Sequence, residues 1–513
     1  MKYNKTRTVT KSKSRQSYKN FEGGESFTSD PKMELYKMTC ATLFGEPKFY
    51  EGNQKKADSS SNRIIQLAHE VAETDPEFIL KLAYYARTQM HLRTTPTVLL
   101  FEAGIDDNMK RFVRRWTPHI INRVDEMAEV IAMFTNTIDH IGDLSAEGSL
   151  PAALKKGIAD TLSSGKFRKY QLAKYTNENA EGKVKLKDVI KIVHPKPQDK
   201  HMSQMFRDIL NGELKQVNTW NAVVSKEGSN EHSWLKAMGS APIFATVRNL
   251  RNILDNTEDP DMIQEVVNKL TNPEIIKNSR LLPFRFLSAY NAIQNHRNKY
   301  AQTFMDALEE SVDLAIDNII PLPGTTAVLV DVSGSMTERP LSDKSDMYPK
   351  DIATLFGAMA HRVCQFSHLI RFASDAELIR CSRRNGAISN AREIANANIG
   401  SGTVTSNALR LLINRNEKVD RIITFTDAIG YTNSWQDSQL VDVLIKYRDK
   451  INPRCRYYEV DLMGYGNAQV PDTDPLTCLI SGWSEKIFEY IPLHEHTGRG
   501  PIEQIERITL PKK

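Results

Sequence analysis

The eleven residues from Thr326 to Met336, T-A-V-L-V-D-V-S-G-S-M, constrain this chain more than any other stretch. Val328, Leu329 and Val330 form a short apolar run rich in β-branched residues, the pattern of a buried strand. The run breaks at Asp331, Ser333, Gly334 and Ser335, all turn formers, so one carboxylate and two hydroxyls follow a strand end at alternate positions. Oxygen donors converging on one point suit a hard divalent cation, Mg²⁺ or Mn²⁺. Two later stretches extend the set. Ser401-Gly402-Thr403-Val404-Thr405 adds a hydroxyl ahead of a helical pattern, and Ile422–Asp427 is a second buried-strand run ending in a carboxylate. Asp331, Ser333, Ser335, Thr403 and Asp427 together give five oxygen donors, some acting through water, with a coordination position left for a partner's carboxylate or phosphate.

D-x-S-G-S, then S-G-T-x-T, then strand-T-D, in this order, resembles the metal-dependent adhesion site of von Willebrand factor A domains. The resemblance covers roughly residues 322–513. It implies a doubly wound parallel sheet with the metal at the carboxyl ends of the strands, where open α/β sheets hold their ligands.

At 513 residues the chain is too long for one core. Three segments are expected: a basic flexible arm over 1–30, a helical-repeat domain over 31–321 and the A-type domain over 322–513. In the helical segment Ile64, Leu67, Ala68 and Val71 lie at i, i+3, i+4 and i+7, and Ile79, Leu82, Ala83 and Ala86 repeat the spacing. Prolines at 96, 118, 151, 242, 260, 273 and 283 divide it into helices of one to two dozen residues, a solenoid or a closed version of one. Beyond Pro321-Leu322-Pro323-Gly324 strands and helices alternate. Strands are expected at 327–332, 369–372, 422–426, 456–462 and 487–491, with helices at 351–365, 405–413 and 440–447.

The net charge of +5 hides an asymmetry. Residues 1–20 carry seven Lys/Arg and no acid, and residues 155–200 carry twelve Lys/Arg against five acids, leaving the remainder of the chain negative. Concentrated positive charge points to a polyanion, or for the tail to a solvated face. Lys187, Lys191 and His194 stand at i, i+4 and i+7, one face of a helix ending at Pro195. Two cations and an imidazole there would track phosphates; otherwise His194 satisfies last-turn carbonyls. No run of 18 apolar residues and no apolar leader occur, so neither a membrane span nor secretion is expected. The five scattered cysteines read as free thiols of a reducing, cytoplasmic compartment. There is no G-x-x-x-x-G-K-[ST], G-x-S-x-G or H-E-x-x-H. His494-Glu495-His496 could bind a metal, but in a polar segment near the C-terminus it is expected to be solvated.

A helical domain followed by this metal-site domain resembles the Ro autoantigen family, which joins a TROVE domain to an A domain and has bacterial homologues. Ala153–Asp160 resembles one of its basic helices. Leu186–Pro197 is similar to its K-D-L-L-R-L-S-H-x-K-P stretch, and Ala241–Leu250 to its M-P-L-T-A-L-L-R-N-L stretch. The resemblance implies a HEAT-like helical ring, a monomer acting in RNA quality control as a ribonucleoprotein. Small structured (Y-like) RNAs would bind outside and single-stranded 3′ ends of misfolded RNA inside. It implies RNA contacts at Lys155, Lys156, Lys174, Lys187, Lys191, His194, Lys196 and Arg248, no catalysis, and cooperation with an exoribonuclease. Lys155 and Lys156 could instead be solvated, and Arg248 could serve an intrahelix ion pair. Thr176 and Glu178 stand where further basic residues are common in the family, which leaves the preferred RNA open. The alternative is a metal-dependent protein-interaction scaffold without a direct RNA role.

Overall fold

The structure is a computed structural model. It describes residues 17–19, 25–27, 29–41, 60–141, 150–176, 184–214, 220–279, 281–317, 319–338, 340–341, 346–430, 439–465 and 468–510. Most of the basic arm expected over 1–30 lies outside them. Two compact units emerge, one of residues 1–45 and 220–501, the other of 46–219 and 502–513.

In the first unit, a short antiparallel hairpin joins β1 (Ser17–Lys19) to β2 (Glu25–Phe27). The main sheet has six strands: β3 (Leu322–Asp331), β4 (Cys364–Phe372), β5 (Ala376–Ile379), β6 (Arg421–Thr426), β7 (Arg456–Asp461) and β8 (Thr477–Ser481). Their order is β5-β4-β3-β6-β7-β8, with every pairing parallel except β4 to β5. β6 is buried at all six positions, as expected of a strand covered on both faces. Ala327, Leu329, Ile422 and Tyr457 pack with Ala408, Leu412, Val441, Leu444 and Tyr447 of the Thr405–Asn414 and Leu440–Lys450 helices. On the Pro349–Val363 helix, Gly357 has no room for a Cβ, which would come 2.4 Å from Val330 Cγ2, so this helix lies directly on β3. Phe356 of the same helix stacks on Phe425 at 5.9 Å, and Phe488 completes the aromatic cluster.

The strand expected at 487–491 is instead the Ile487–Thr497 helix. Ile487, Phe488, Tyr490, Ile491 and His494 are its buried residues, a helical spacing that five residues were too short to distinguish from a strand. The edge strands β5 and β8 escaped the sequence pattern. His494-Glu495-His496 is not solvated as a group. His494 is buried with Nδ1 3.2 Å from the Tyr458 hydroxyl, and Glu495 takes a bidentate bridge from Arg421 at 2.6 and 3.0 Å.

Helices between 220 and 316 belong to this same unit. On the Ala301–Ile316 helix and its following turn, Glu309, Asp313 and Asp317 recur every four residues. Asp313 bridges Arg362 at 2.7 Å and Asp317 the same guanidinium at 3.3 Å. Glu309 and Asp313 also accept from the backbone N–H groups of Ser389 (2.8 Å) and Ala387 (3.1 Å), capping the positive end of the Ala387–Ala395 helix.

The Pro31–Cys40 helix packs on β8. Its Tyr36 hydroxyl donates to Ser481 O and accepts from Ser481 N, while Ser481 Oγ donates to Lys37 O at 3.0 Å. The Lys37 ammonium, fully buried, lies 3.1 Å from the Asp461 carboxylate.

The second unit packs helices Ser60–Ala72, Pro76–Thr88, Thr94–Ile105, Lys110–Ile120, Val124–Ile141, Ala152–Ser163, Lys169–Thr176, Leu186–Val193 and Lys200–Asn211. The residues singled out at helical spacing, Ile64 to Val71 and Ile79 to Ala86, are buried. A Cβ on Gly157 would come 2.5 Å from Thr117 Oγ1, so the 152–163 and 110–120 helices touch there. Glu126, buried, receives Arg87 and the backbone N–H groups of Asn122 (2.8 Å) and Arg123 (3.0 Å). His69 spans Glu102 at 3.2 Å and Asp106 at 3.0 Å, and these carboxylates push its pKa up to about 9.

Lys37→Ala removes the cation that faces Asp461 and leaves a buried carboxylate unpaired. The expected loss of folding stability is about 3–5 kcal/mol, read as a lower midpoint in urea unfolding.

Candidate functional site

The sheet order reverses between β3 and β6, because the chain leaves β3 for β4 on one side and later returns to β6 on the other. Ligands of open α/β sheets sit outside such a point at the carboxyl ends. Asp331 is the last residue of β3, and Asp427 directly follows β6. Both are buried, 0% and 2% exposed.

Asp331 Oδ1 accepts from the Ser333 N–H at 2.9 Å, and Oδ2 accepts from the Thr426 hydroxyl at 2.7 Å. Ser333 Oγ and Ser335 Oγ lie 3.2 Å apart, and the Ser335 hydroxyl is near enough to Asp427 to favour its ionised form. Beyond β6 the backbone turns through Ala428 at φ 58°, a left-handed conformation that an L-residue adopts at some cost. Side chains hold that turn: Ala428 N–H donates to Thr426 Oγ1 at 3.2 Å and Ile429 N–H to Asp427 Oδ1 at 3.0 Å.

The third loop is tied to the first, since Gly334 N–H donates to Ser401 O at 2.8 Å. Ser374 steadies it further by accepting from Gly402 N–H at 2.8 Å and, through its carbonyl, from Asn407 Nδ2 at 2.9 Å. Thr403 on this loop is buried, and among the described residues its hydroxyl has no partner; the buried Thr405 Oγ1 has none either. Asp331, Ser333, Ser335 and Thr426 thus join in one hydrogen-bonded cluster, with Asp427 beside it and the Thr403 loop anchored to it.

Burial lifts both carboxyls above the ordinary carboxylate range, Asp331 to about 6 and Asp427 to about 8, the latter also because Asp331's negative charge is close. Two buried acids, neighbouring hydroxyls and an unpartnered threonine form a donor set fit for a hard divalent cation. Sequence reasoning missed Thr426, Lys37 and Asp461. The threonine precedes a named ligand, so its hydroxyl was visible; Lys37 and Asp461 are paired only by the fold.

The expected RNA residues fall in two places. Lys155 is half-buried and Lys156 exposed on the 152–163 helix; Lys174 is exposed on the 169–176 helix. Both helices pack against Leu186–Val193, which exposes Lys187 and Lys191. His194 ends that helix in the left-handed region, φ 51°, and is exposed, as is Lys196. Among the described residues none of these seven side chains is held in an ion pair; Lys174 lies over the Tyr175 ring at 5.4 Å. Arg248, exposed, belongs to the other unit, and the intrahelix ion pair considered for it is absent among the described residues. Glu178 lies outside the described residues. A further basic helix was missed: Lys110–Ile120 exposes Lys110, Arg111, Arg114 and Arg115 and packs against the 152–163 helix. Arg114 is occupied by Asp160 at 2.7 Å, Arg115 by Glu77 and Lys110 by Asp107. The K-R-F-V-R-R-W pattern was the available signal.

A family model described as TROVE domain matches residues 19–212 and 210–307, more than half of the chain. The chain belongs to the Ro autoantigen (TROVE domain) family. Relatives include telomerase protein component 1 of Mus musculus, 23% identical over 344 residues, and its Rattus norvegicus counterpart, 22% identical. Each alignment takes in 52% of this chain, and the chain spans only 13% of those proteins' length. RNA-binding protein RO60 of Deinococcus radiodurans is 20% identical over 456 residues, covering 80% of this chain and 82% of the relative. The crystal structure of the Deinococcus radiodurans RO (RSR) protein superposes with a TM-score of 0.60 at 16% identity, covering 89% of this chain and 97% of that one. The Ro-type architecture, helical repeats with an A-type domain, is therefore the fold of this chain.

Raised carboxyl pKa values have a definite sign. Without metal, the folded chain retains protons on Asp331 and Asp427 that the unfolded chain releases above the ordinary carboxylate range. Their stabilising contribution is complete below about pH 4 and is lost as pH rises through about 6 and then about 8. In EDTA, the melting temperature of the wild type should fall between pH 5 and pH 8 relative to Asp427→Asn. Parallel curves would contradict the burial of this pair.

Proposed function

We propose that this Ro-family protein is a non-catalytic, cytoplasmic RNA-binding protein that takes up small structured RNAs and single-stranded ends of misfolded RNA. The observation that carries this reading is the exposed cation face of the Leu186–Val193 helix, where Lys187 and Lys191 have no carboxylate partner among the described residues. Exposed arginines of the same unit, such as Arg114 and Arg123, are held by Asp160 and Asp125. Cations left uncompensated on helices that pack together suit a phosphate backbone. His194, turned out of the helix by its left-handed backbone, offers an imidazole to a base or phosphate. The name of the Deinococcus relative, an RNA-binding protein, agrees with this reading.

The A-type domain, in this reading, holds Mg²⁺ or Mn²⁺ through Asp331, Ser333, Ser335, Thr403 and Asp427. Bound there, the cation supplies a site for an acidic side chain of a protein partner, and an exoribonuclease is the partner we propose. The chain's own part is to hold the carboxylates and hydroxyls in place through Thr426 and the Gly334–Ser401 hydrogen bond. Among the described residues no disulfide joins the cysteines, in keeping with a reducing compartment. Among the described residues no helix is long and apolar enough to cross a membrane.

Lys187→Glu with Lys191→Glu should weaken binding of a structured RNA. It should also flatten the plot of log affinity against log salt by about 0.7–0.9 for each phosphate that is no longer neutralised. Filter binding across a salt series reads both quantities. Equal slopes in wild type and double variant would show these lysines to be solvated, and the RNA reading would lose its main support.

A further inference from the structure

The Ile243–Arg248 and Leu250–Asn256 helices follow one another with only Asn249 between them. Asn249 keeps them nearly continuous: its N–H donates to Ala245 O at 3.1 Å and its carbonyl accepts from Ile253 N–H at 2.9 Å. Ala245, Thr246, Val247, Leu250, Ile253 and Leu254 form the buried side. The exposed side carries Phe244, Arg248, Arg251 and Asn252, at i, i+4, i+7 and i+8. Phe244 is 48% exposed, unusual for a ring that could bury a large apolar area. Among the described residues Arg248 and Arg251 form no ion pair, and no guanidinium lies over the Phe244 ring. The carboxylate on this side, Asp255, is engaged by His296 at 2.9 Å. Asn252 donates its amide to Asn249 Oδ1 at 3.0 Å, and among the described residues its own side-chain oxygen accepts nothing.

An open aromatic face, two uncompensated guanidinium groups one and two turns away, and a free amide acceptor match single-stranded nucleic acid. A base stacks on the ring, its neighbouring phosphates meet the arginines, and the amide oxygen can accept from a base amino group. A duplex hides its base faces and could use only the arginines. We propose that Phe244, Arg248, Arg251 and Asn252 form a base-stacking step for single-stranded RNA, separate from the cation face on Leu186–Val193. This rests on the RNA-binding reading and assigns its single-strand specificity to this surface.

The test uses the full chain and two fluorescent probes, a 12-nucleotide oligouridylate and a blunt-ended RNA hairpin, read by anisotropy. Phe244→Ala should weaken oligouridylate binding by roughly 5- to 150-fold with an unchanged salt slope, because stacking releases no counterion, and Phe244→Tyr should restore it. Arg248→Ala and Arg251→Ala should each lower the oligouridylate slope by about 0.7. Hairpin affinity should stay the same in both Phe244 variants, because a duplex offers no base face to the ring. Oligouridylate binding unaffected by Phe244→Ala, or absent in the wild type, overturns the stacking step while hairpin binding still supports the broader reading. Should Lys187→Glu with Lys191→Glu leave hairpin binding intact, it is the broader reading that fails.

Discussion

Two carboxylates buried side by side at the carboxyl end of a parallel sheet are the constraint on which much of the A-type domain turns. Asp331 and Asp427 sit where burial penalises charge, and the charge of Asp331 makes the ionisation of Asp427 harder still. The surroundings answer with hydrogen bonds. Thr426 and the Ser333 N–H hold Asp331, while the Ile429 N–H holds Asp427. The left-handed turn at Ala428 and the Gly334–Ser401 tie follow from the same need to bring three loops together. A divalent cation would supply the positive charge that hydrogen bonds cannot.

Below this cluster lies a second set of buried charges. Lys37, from a helix early in the chain, faces Asp461 at the end of β7, and it also favours the ionised form of Glu459, whose carboxyl burial pushes up to about 7. The lysine thus neutralises acids that would otherwise add to the repulsion felt by Asp427, on which Asp461 already acts. The Pro31–Cys40 helix therefore serves the sheet electrostatically as well as by packing, with Tyr36 and Ser481 fixing its position.

The parts of this arrangement that are local in sequence were legible there. D-V-S-G-S after an apolar run announced a strand, a turn and a carboxylate, and the structure places them so. Buried helical spacings at Ile64–Val71 and Ile79–Ala86 were equally plain. What depends on distant partners was not. Nothing around Lys37 signals that its ammonium will be buried against Asp461, and a lysine between Tyr36 and Met38 reads as an ordinary surface cation. The short I-F-E-Y-I run suited a strand until the burial of His494 revealed a helical stripe. Among the cations, sequence showed where charge accumulates but could not tell Arg114, held by Asp160, from Lys187, which has no carboxylate partner among the described residues. That difference is made by which helices meet.

The measurement closest to the central claim is calorimetric titration of Mg²⁺ into the full chain after removal of metal with EDTA, with Asp331→Ala alongside. If the carboxylate pair exists to hold a cation, the wild type shows a single saturable site, and the variant, missing a ligand's charge and geometry, shows none. Identical binding curves for the two proteins, or no binding to the wild type, would contradict the account and leave the pair as protonated acids within an ordinary polar core.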